Sequence, residues 1–118
     1  MAYRILIVDD HPSFRATVRT LLVADGFEVV GEAADGRSAL AAVKSLEPDL
    51  VLLDVQLPDM DGFAVANELL RQNGTGPTVV LTSSHDESDF GPIVTRCGAA
   101  AFVPKGELSG GALRAVLR

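Results

Sequence analysis

Residues 5–14 read ILIVDDHPSF. A run of apolar residues stops abruptly at two adjacent carboxylates, Asp9 and Asp10. Neighbouring like charges repel, and each costs desolvation when held near a core. The same punctuation recurs along the chain. LVLL (50–53) meets Asp54, TVVL (78–81) meets Thr82, and AAFV (100–103) meets Pro104 and Lys105. FEVV (27–30) is the weakest run, with Glu28 inside it and Glu32 after it.

Between these runs the apolar residues change to helical spacing. Phe14, Val18, Leu21 and Leu22 form one stripe, Leu40, Val43 and Leu46 a second, and Phe63, Val65, Ala66, Leu69 and Leu70 a third. Gly26, Gly36, Gly62, Gly74, Gly76 and Gly98 fall between elements, where turns and helix ends use them. Continuous apolar strands alternating with helices predict an α/β chain whose parallel sheet is covered on both faces. Crossovers between parallel strands are right-handed, which leaves few topologies. The polar second run and the Pro104-terminated fifth suit sheet edges. Edges there predict the order 2-1-3-4-5 of the flavodoxin-like doubly wound fold, with its ligand crevice at the carboxyl ends of strands one and three.

Composition sets further bounds. The 118 residues fit one domain, 1–118, and a hydrophobic share of 47% gives it a core. No apolar stretch approaches the ~20 residues of a membrane span, and acidic residues arrive too early for a secretory leader. The net charge of −6 argues against nucleic-acid contact through these residues. Cys97 is the one cysteine and reads as a small buried hydrophobe on a helix. A single thiol fits a reducing cytoplasm.

In a parallel sheet the strand ends face one side. Asp9, Asp10, Asp54, Thr82 and Lys105 therefore converge. Crowded carboxylates are costly unless a cation shares them. A hard divalent ion, Mg²⁺ or Mn²⁺, fits an oxygen-rich site of this kind. Adjacent strand residues point to opposite faces, so one of Asp9 and Asp10 coordinates directly and the other acts through water. Lys105 would offset remaining charge, and the Thr82 hydroxyl can donate to an anionic oxygen. Metal, lysine and hydroxyl around a carboxylate are the parts phosphoryl transfer uses. Aspartates do accept phosphoryl groups.

At this point the chain resembles the response-regulator receiver domains of two-component signalling. ILIVDDHPSFR, PDLVLLDVQLPDMDG, VVLTSSHD and GAAAFVPK match that pattern in order. The resemblance implies a phosphoprotein in which Asp54 accepts a phosphoryl group from a phosphohistidine, forming an aspartyl phosphate. The donor would be a sensor histidine kinase or a phosphotransfer protein. Magnesium would be ligated by Asp10, Asp54 and the backbone carbonyl of Gln56, with Asp9 assisting through water. Thr82 and Lys105 would contact the phosphoryl oxygens. Thr82 and Phe102 would form the switch, altering the face made by the fourth helix, fifth strand and fifth helix. A phosphorylation-dependent homodimer is one output this allows. The chain would not be an enzyme beyond its own phosphorylation and dephosphorylation. DDHPSFR is similar to the branch whose members often carry a LuxR-type helix-turn-helix after the receiver. No such segment lies within these residues, so the chain is read as a domain that a longer protein could contain.

Plainer readings stand beside these. Asp59 and Asp61 are turn formers with Gly62 rather than ligands. His11 and His85 lack partners at metal-ligand spacing and read as exposed polar residues. Phe102 equally suits the core. Gln56 and Ser84 follow Asp54 and Thr82 by two positions; by resemblance they tune the phosphate's lifetime, and a plain place on the loop surface fits them equally. Two features depart from the family. Gly106 follows Lys105 where many receivers have proline. Gly91–Pro92 interrupts the expected fourth helix, predicting one that is shortened, shifted or kinked, because proline is excluded from a helix interior. Two rivals fit less well. A haloacid-dehalogenase-type phosphohydrolase wants an Asp where Gln56 stands, and a flavin carrier wants a phosphate-cradling loop in place of DDHPSF.

Overall fold

The computed structural model describes residues 2–72, 76–85 and 89–117. β1 (Arg4–Val8), α1 (Pro12–Ala24), β2 (Glu28–Ala33), α2 (Gly36–Leu46), β3 (Leu50–Asp54), α3 (Gly62–Gln72), β4 (Thr78–Ser83), α4 (Ile93–Arg96), β5 (Ala101–Pro104) and α5 (Gly110–Leu117) follow in order. The strands form one sheet in the order β2-β1-β3-β4-β5, all pairs parallel, as the edge argument predicts.

Alternation along the central strands sorts the core into two layers. Leu6, Val8, Val51, Leu53, Val79 and Leu81 face α2, α3 and α4, where they meet Ala39, Val43, Val65, Leu69 and Val94. Ile5, Ile7, Leu50, Leu52 and Val80 face α1 and α5, meeting Val18, Leu22 and Leu113. Strands covered on both faces need apolar residues at every position, which is why β1 and β3 read as unbroken runs. Leu21, at helical spacing in α1, is instead 39% exposed. It lies off the stripe carried by Val18 and Leu22.

The strand limits shift from the apolar runs. β2 begins at Glu28 and runs to Ala33, so Glu32 lies inside it. An edge strand can hold a carboxylate whose charge is met: Arg15 and Arg19 of α1 reach Glu32 at 3.0 and 2.7 Å. Asp54 is the last residue of β3, Thr82 lies within β4, and Pro104 ends β5.

Helix starts follow local chemistry. Pro12 opens α1, where its missing N–H costs nothing. Asp35 caps α2 by accepting from the Ser38 N–H at 2.8 Å. The acids of the PDMDG segment act as turn formers, and each holds a different helix. Asp61 accepts from the Ala64 N–H of α3 at 2.8 Å, while Asp59 accepts from the Gly36 and Arg37 N–H groups of α2 at 2.7 and 3.0 Å. The β3–α3 loop is thereby tied to both helices.

α4 has four residues. Gly91 adopts φ +68°, a conformation that glycine tolerates, and Pro92 stands just before the first helical residue. The expected shortening is present. Cys97 is buried, as read from the sequence, but it stands just after the last helical residue rather than within the helix. Gly74 lies outside the described residues. Among the described residues no helix is long and apolar enough to cross a membrane.

Candidate functional site

The carboxyl ends of β1, β3, β4 and β5 bring the predicted residues together. Asp9 follows β1 and is fully buried, and Asp54 is 3% exposed. Lys105 Nζ lies between them, 2.7 Å from Asp9 Oδ2 and 3.2 Å from Asp54 Oδ2. One ammonium thus serves two buried carboxylates.

The environments of the two acids differ. Burial pushes the Asp9 carboxyl up, but Lys105 and the His11 N–H outweigh it and hold the group below the usual carboxylate range. Burial also pushes Asp54 up. The Gln56 N–H, 3.0 Å from Asp54 Oδ1, opposes this, yet with Asp9 nearby the net direction is upward. Burial would lower Lys105, and the two carboxylates reverse that and raise it.

Asp10 lies at the mouth and is partly exposed. His11 sits beside it. Its Nδ1 is 2.9 Å from Asp9 Oδ1 and 3.1 Å from Asp10 Oδ1. One oxygen or nitrogen from each of Asp9, Asp10, His11 and Asp54 lies within 4.8 Å of the others. The sequence reading of His11 as exposed is met, since its side chain is 63% exposed, but its ring contacts both acids. Its place directly after the acid pair was the available signal. His85 is exposed at the end of β4, where its N–H donates to Ser83 Oγ at 3.1 Å, and Ser84 beside it is exposed too.

Thr82 is the direct neighbour of Asp54 across the sheet: the two are paired in the β3–β4 register. Its Oγ1 is buried with no hydrogen-bond partner among the described residues, as is Asp9 Oδ2, which Lys105 meets by charge. A buried hydroxyl without a partner costs about 1–3 kcal/mol. Such a group beside a carboxylate is suited to meet an oxygen brought in from outside.

Gln56 pairs with Asp61 in an isolated antiparallel bridge, which fixes the loop after β3. Gly62 lets α3 start against that loop, because a Cβ there would lie 2.3 Å from the Asp54 carbonyl oxygen. Phe102 is half-buried. Its ring lies 5.7 Å from Phe90, which is 5.5 Å from Phe63 and 6.3 Å from His85. Phe90, from the segment before α4, was not marked by helical spacing, since that segment is not a regular helix.

Two further residues of α1 reach the site. Arg15 donates to the Asp9 carbonyl at 2.6 Å, and the Phe14 ring centroid lies 4.3 Å from Lys105 Nζ.

The donor set is carboxylate oxygen together with one ring nitrogen. Three carboxylates against one ammonium leave two negative charges, which suits a hard divalent cation. The buried, unpartnered Thr82 hydroxyl suits an added anion in the same place.

The family model described as response regulator receiver domain matches residues 5–118. A putative transcriptional regulator of Pseudomonas aeruginosa is 40% identical over 104 residues, covering 88% of this chain and 50% of that protein. The chemotaxis protein CheY of Bacillus subtilis is 36% identical over 105 residues, covering 89% of this chain and 87% of that one. The signal receiver domain of the putative response regulator NarL from Mycobacterium tuberculosis superposes with a TM-score of 0.84 at 37% identity, covering 98% and 97% of the two chains. The chain spans about half the length of the Pseudomonas regulator it matches.

Proposed function

The chain belongs to the response regulator receiver domains of two-component signalling, and from that premise we propose that Asp54 takes a phosphoryl group from the phosphohistidine of a histidine kinase or phosphotransfer protein. An Asp54 carboxylate oxygen bonds to phosphorus as the P–N bond of the donor breaks. The imidazole nitrogen keeps the electron pair and takes a proton from solvent. The Lys105 ammonium, already 3.2 Å from Asp54, faces the charge that accumulates. Thr82 Oγ1 turns its unused hydroxyl to a phosphoryl oxygen. A magnesium ion held by Asp9, Asp10, Asp54 and the Gln56 carbonyl would supply charge neutralisation and orientation when bound. Asp10 at the mouth and Asp54 suit direct contact, and Asp9, which also holds the lysine, suits contact through water.

The observation that carries this reading is the Thr82 hydroxyl. It is buried, without a hydrogen-bond partner among the described residues, and beside Asp54. A purely structural position would favour valine, which leaves nothing unsatisfied.

The output is a two-state change biased by about −1.5 to −2 of new charge at Asp54. We place it on the α4–β5–α5 face, where Phe102 packs on Phe90. A second copy of the chain is one partner for that face, and no nucleic acid is assigned to these acidic residues. The reading places the chain in the cytoplasm.

The test is intact mass after incubation with acetyl phosphate and Mg²⁺. The wild type gains one phosphate, Asp54→Asn gains none, and Thr82→Val gains it more slowly. Phosphate persisting on Asp54→Asn would refute the assigned acceptor.

A further inference from the structure

Lys105 has a weak backbone hold. β5 is an edge strand of four residues, none of them fully buried. The turn after it is closed by a long 3.4 Å bond from the Leu108 N–H to the Lys105 carbonyl. Gly106, standing where many receivers have proline, is in open space: a Cβ there would meet nothing within 4 Å. A lysine on such a segment loses about 2 kcal/mol of rotamer entropy when its head is fixed. Its direction is set by what the head group meets, the two carboxylates at 2.7 and 3.2 Å and what packs beside them.

Phe14 stands opposite. Its ring centroid is 4.3 Å from Nζ, within cation–π range, and the lysine side chain is only 18% exposed. Water therefore competes poorly for that contact. The ring itself is partly buried. Phe14 packs on the core layer of Ile5, Ile7, Val18 and Leu22, and its neighbour Arg15 ties the same turn to the Asp9 carbonyl and to Glu32. The ring lies against the Lys105 ammonium.

We propose that Phe14 is a positioning residue for Lys105: the face of its ring, on the first turn of α1, holds the ammonium between Asp9 and Asp54 where the phosphoryl group arrives. The inference rests on the reading of Asp54 as phosphoacceptor. An aliphatic side chain would cover the lysine methylenes but offer the ammonium no attraction. An aromatic face does both. One segment, DDHPSF, then supplies both acids and the ring that steers the opposing cation.

The experiment uses Phe14→Leu and Phe14→Tyr, in wild-type and Lys105→Met backgrounds, with circular dichroism to verify folding. Phosphorylation by acetyl phosphate at saturating Mg²⁺ slows about fivefold in Phe14→Leu, the equivalent of about 1 kcal/mol, and stays near wild type in Phe14→Tyr. In the Lys105→Met background Phe14→Leu adds nothing further, because the ring acts through the ammonium. Equal slowing in both backgrounds, or none in either, overturns the proposal. Proton NMR provides a separate readout. The ring current shifts the Lys105 terminal methylene upfield in wild type and Phe14→Tyr, and the shift disappears in Phe14→Leu. A shift unchanged in Phe14→Leu also overturns it. A wild type that takes up no phosphate would instead sink the phosphoacceptor reading, while the NMR shift still decides the ring–ammonium contact.

Discussion

Gly62→Ala offers a severe check on how the site is built. Gly62 is the first residue of α3, and its N–H donates to the Val55 carbonyl at 2.7 Å. A methyl at this position would lie 2.3 Å from the Asp54 carbonyl oxygen, 2.8 Å from Val55 Cα and 3.0 Å from the Asp54 carbonyl carbon. Ordinary contact begins at 3.4 Å, so the helix start and the end of β3 must separate by about 1 Å. All three obstacles are backbone and cannot rotate away. We expect about 3 kcal/mol of overpacking, the upper end of the usual range. Losing the short Gly62–Val55 bond adds about 1 kcal/mol, and alanine's better helix propensity returns about the same. The net figure of about 3 kcal/mol corresponds to a fall of about 10–15 °C in melting temperature for a chain of this size. Asp54 moves with its own carbonyl, and a shift of about 1 Å at a reacting group can cost up to ~100-fold in rate. The assays are thermal melting by circular dichroism, since the chain has no tryptophan to report unfolding, and phosphate uptake from acetyl phosphate. Gly106→Ala is the control, because that position is open and has no positive φ. It should be neutral or stabilising by about 0.4–1 kcal/mol. A Gly62→Ala protein that melts within about 2 °C of wild type and takes up phosphate normally would refute the packing argument.

Two other perturbations probe the supports of the site. Hydrogen bonding from Arg19, helped by Arg15 and opposed by burial, holds the Glu32 carboxyl below its ordinary value of 4.5. A lowered carboxylate contributes stability that is present above the ordinary value and lost as pH falls through the folded one. Urea midpoints measured from pH 5.5 downward should therefore fall less steeply in Glu32→Gln than in wild type, and parallel curves would contradict the pairing. Asp59→Ala removes the acceptor of the Gly36 and Arg37 N–H groups. Hydrogen exchange at those two amides should quicken while the amides of β3 keep their protection. Unchanged exchange at Gly36 would mean that a group other than Asp59 accepts from its N–H.

The strands, their order and the convergence of Asp9, Asp54, Thr82 and Lys105 were legible because each rests on a local rule. A fully covered strand is apolar at every position, and parallel strands end on one side. The acids of PDMDG were legible as turn formers for the same reason. Their partners were not. Asp59 reaches back to Gly36, and no local spacing announces a cap supplied by a distant loop. The short α4 was legible in outline, since Gly91–Pro92 forbids an ordinary helix there. Its span, Ile93–Arg96, depends on how Val94 and Cys97 find the core. Burial of the Thr82 hydroxyl without a partner is a fact of packing among strands and was not visible in TVVLTSSHD. Nor was the ring of Phe14 under Lys105, whose two ends lie at opposite extremes of the chain.

The buried acids explain why one lysine is enough. Two carboxylates sharing a cation normally push each other's protons back on, and the milder environment keeps its charge. Here the lowered group is Asp9 and the raised one is Asp54. The distances agree, since Nζ is closer to Asp9 than to Asp54, 2.7 against 3.2 Å. Lys105 is nevertheless shared, because its hydrogen bond goes to Asp54 Oδ2 while Asp9 Oδ2 meets it by charge alone. On the proposed function, that inequality places the reactive carboxylate where added negative charge can draw the ammonium across a short gap. The Thr82 hydroxyl waits on the adjacent strand with nothing to give up. The ammonium would exchange one polar contact for another, and the hydroxyl would gain one that it lacks. On that reading charge at a single oxygen would set the switch, and the α4–β5–α5 face would carry the change outward.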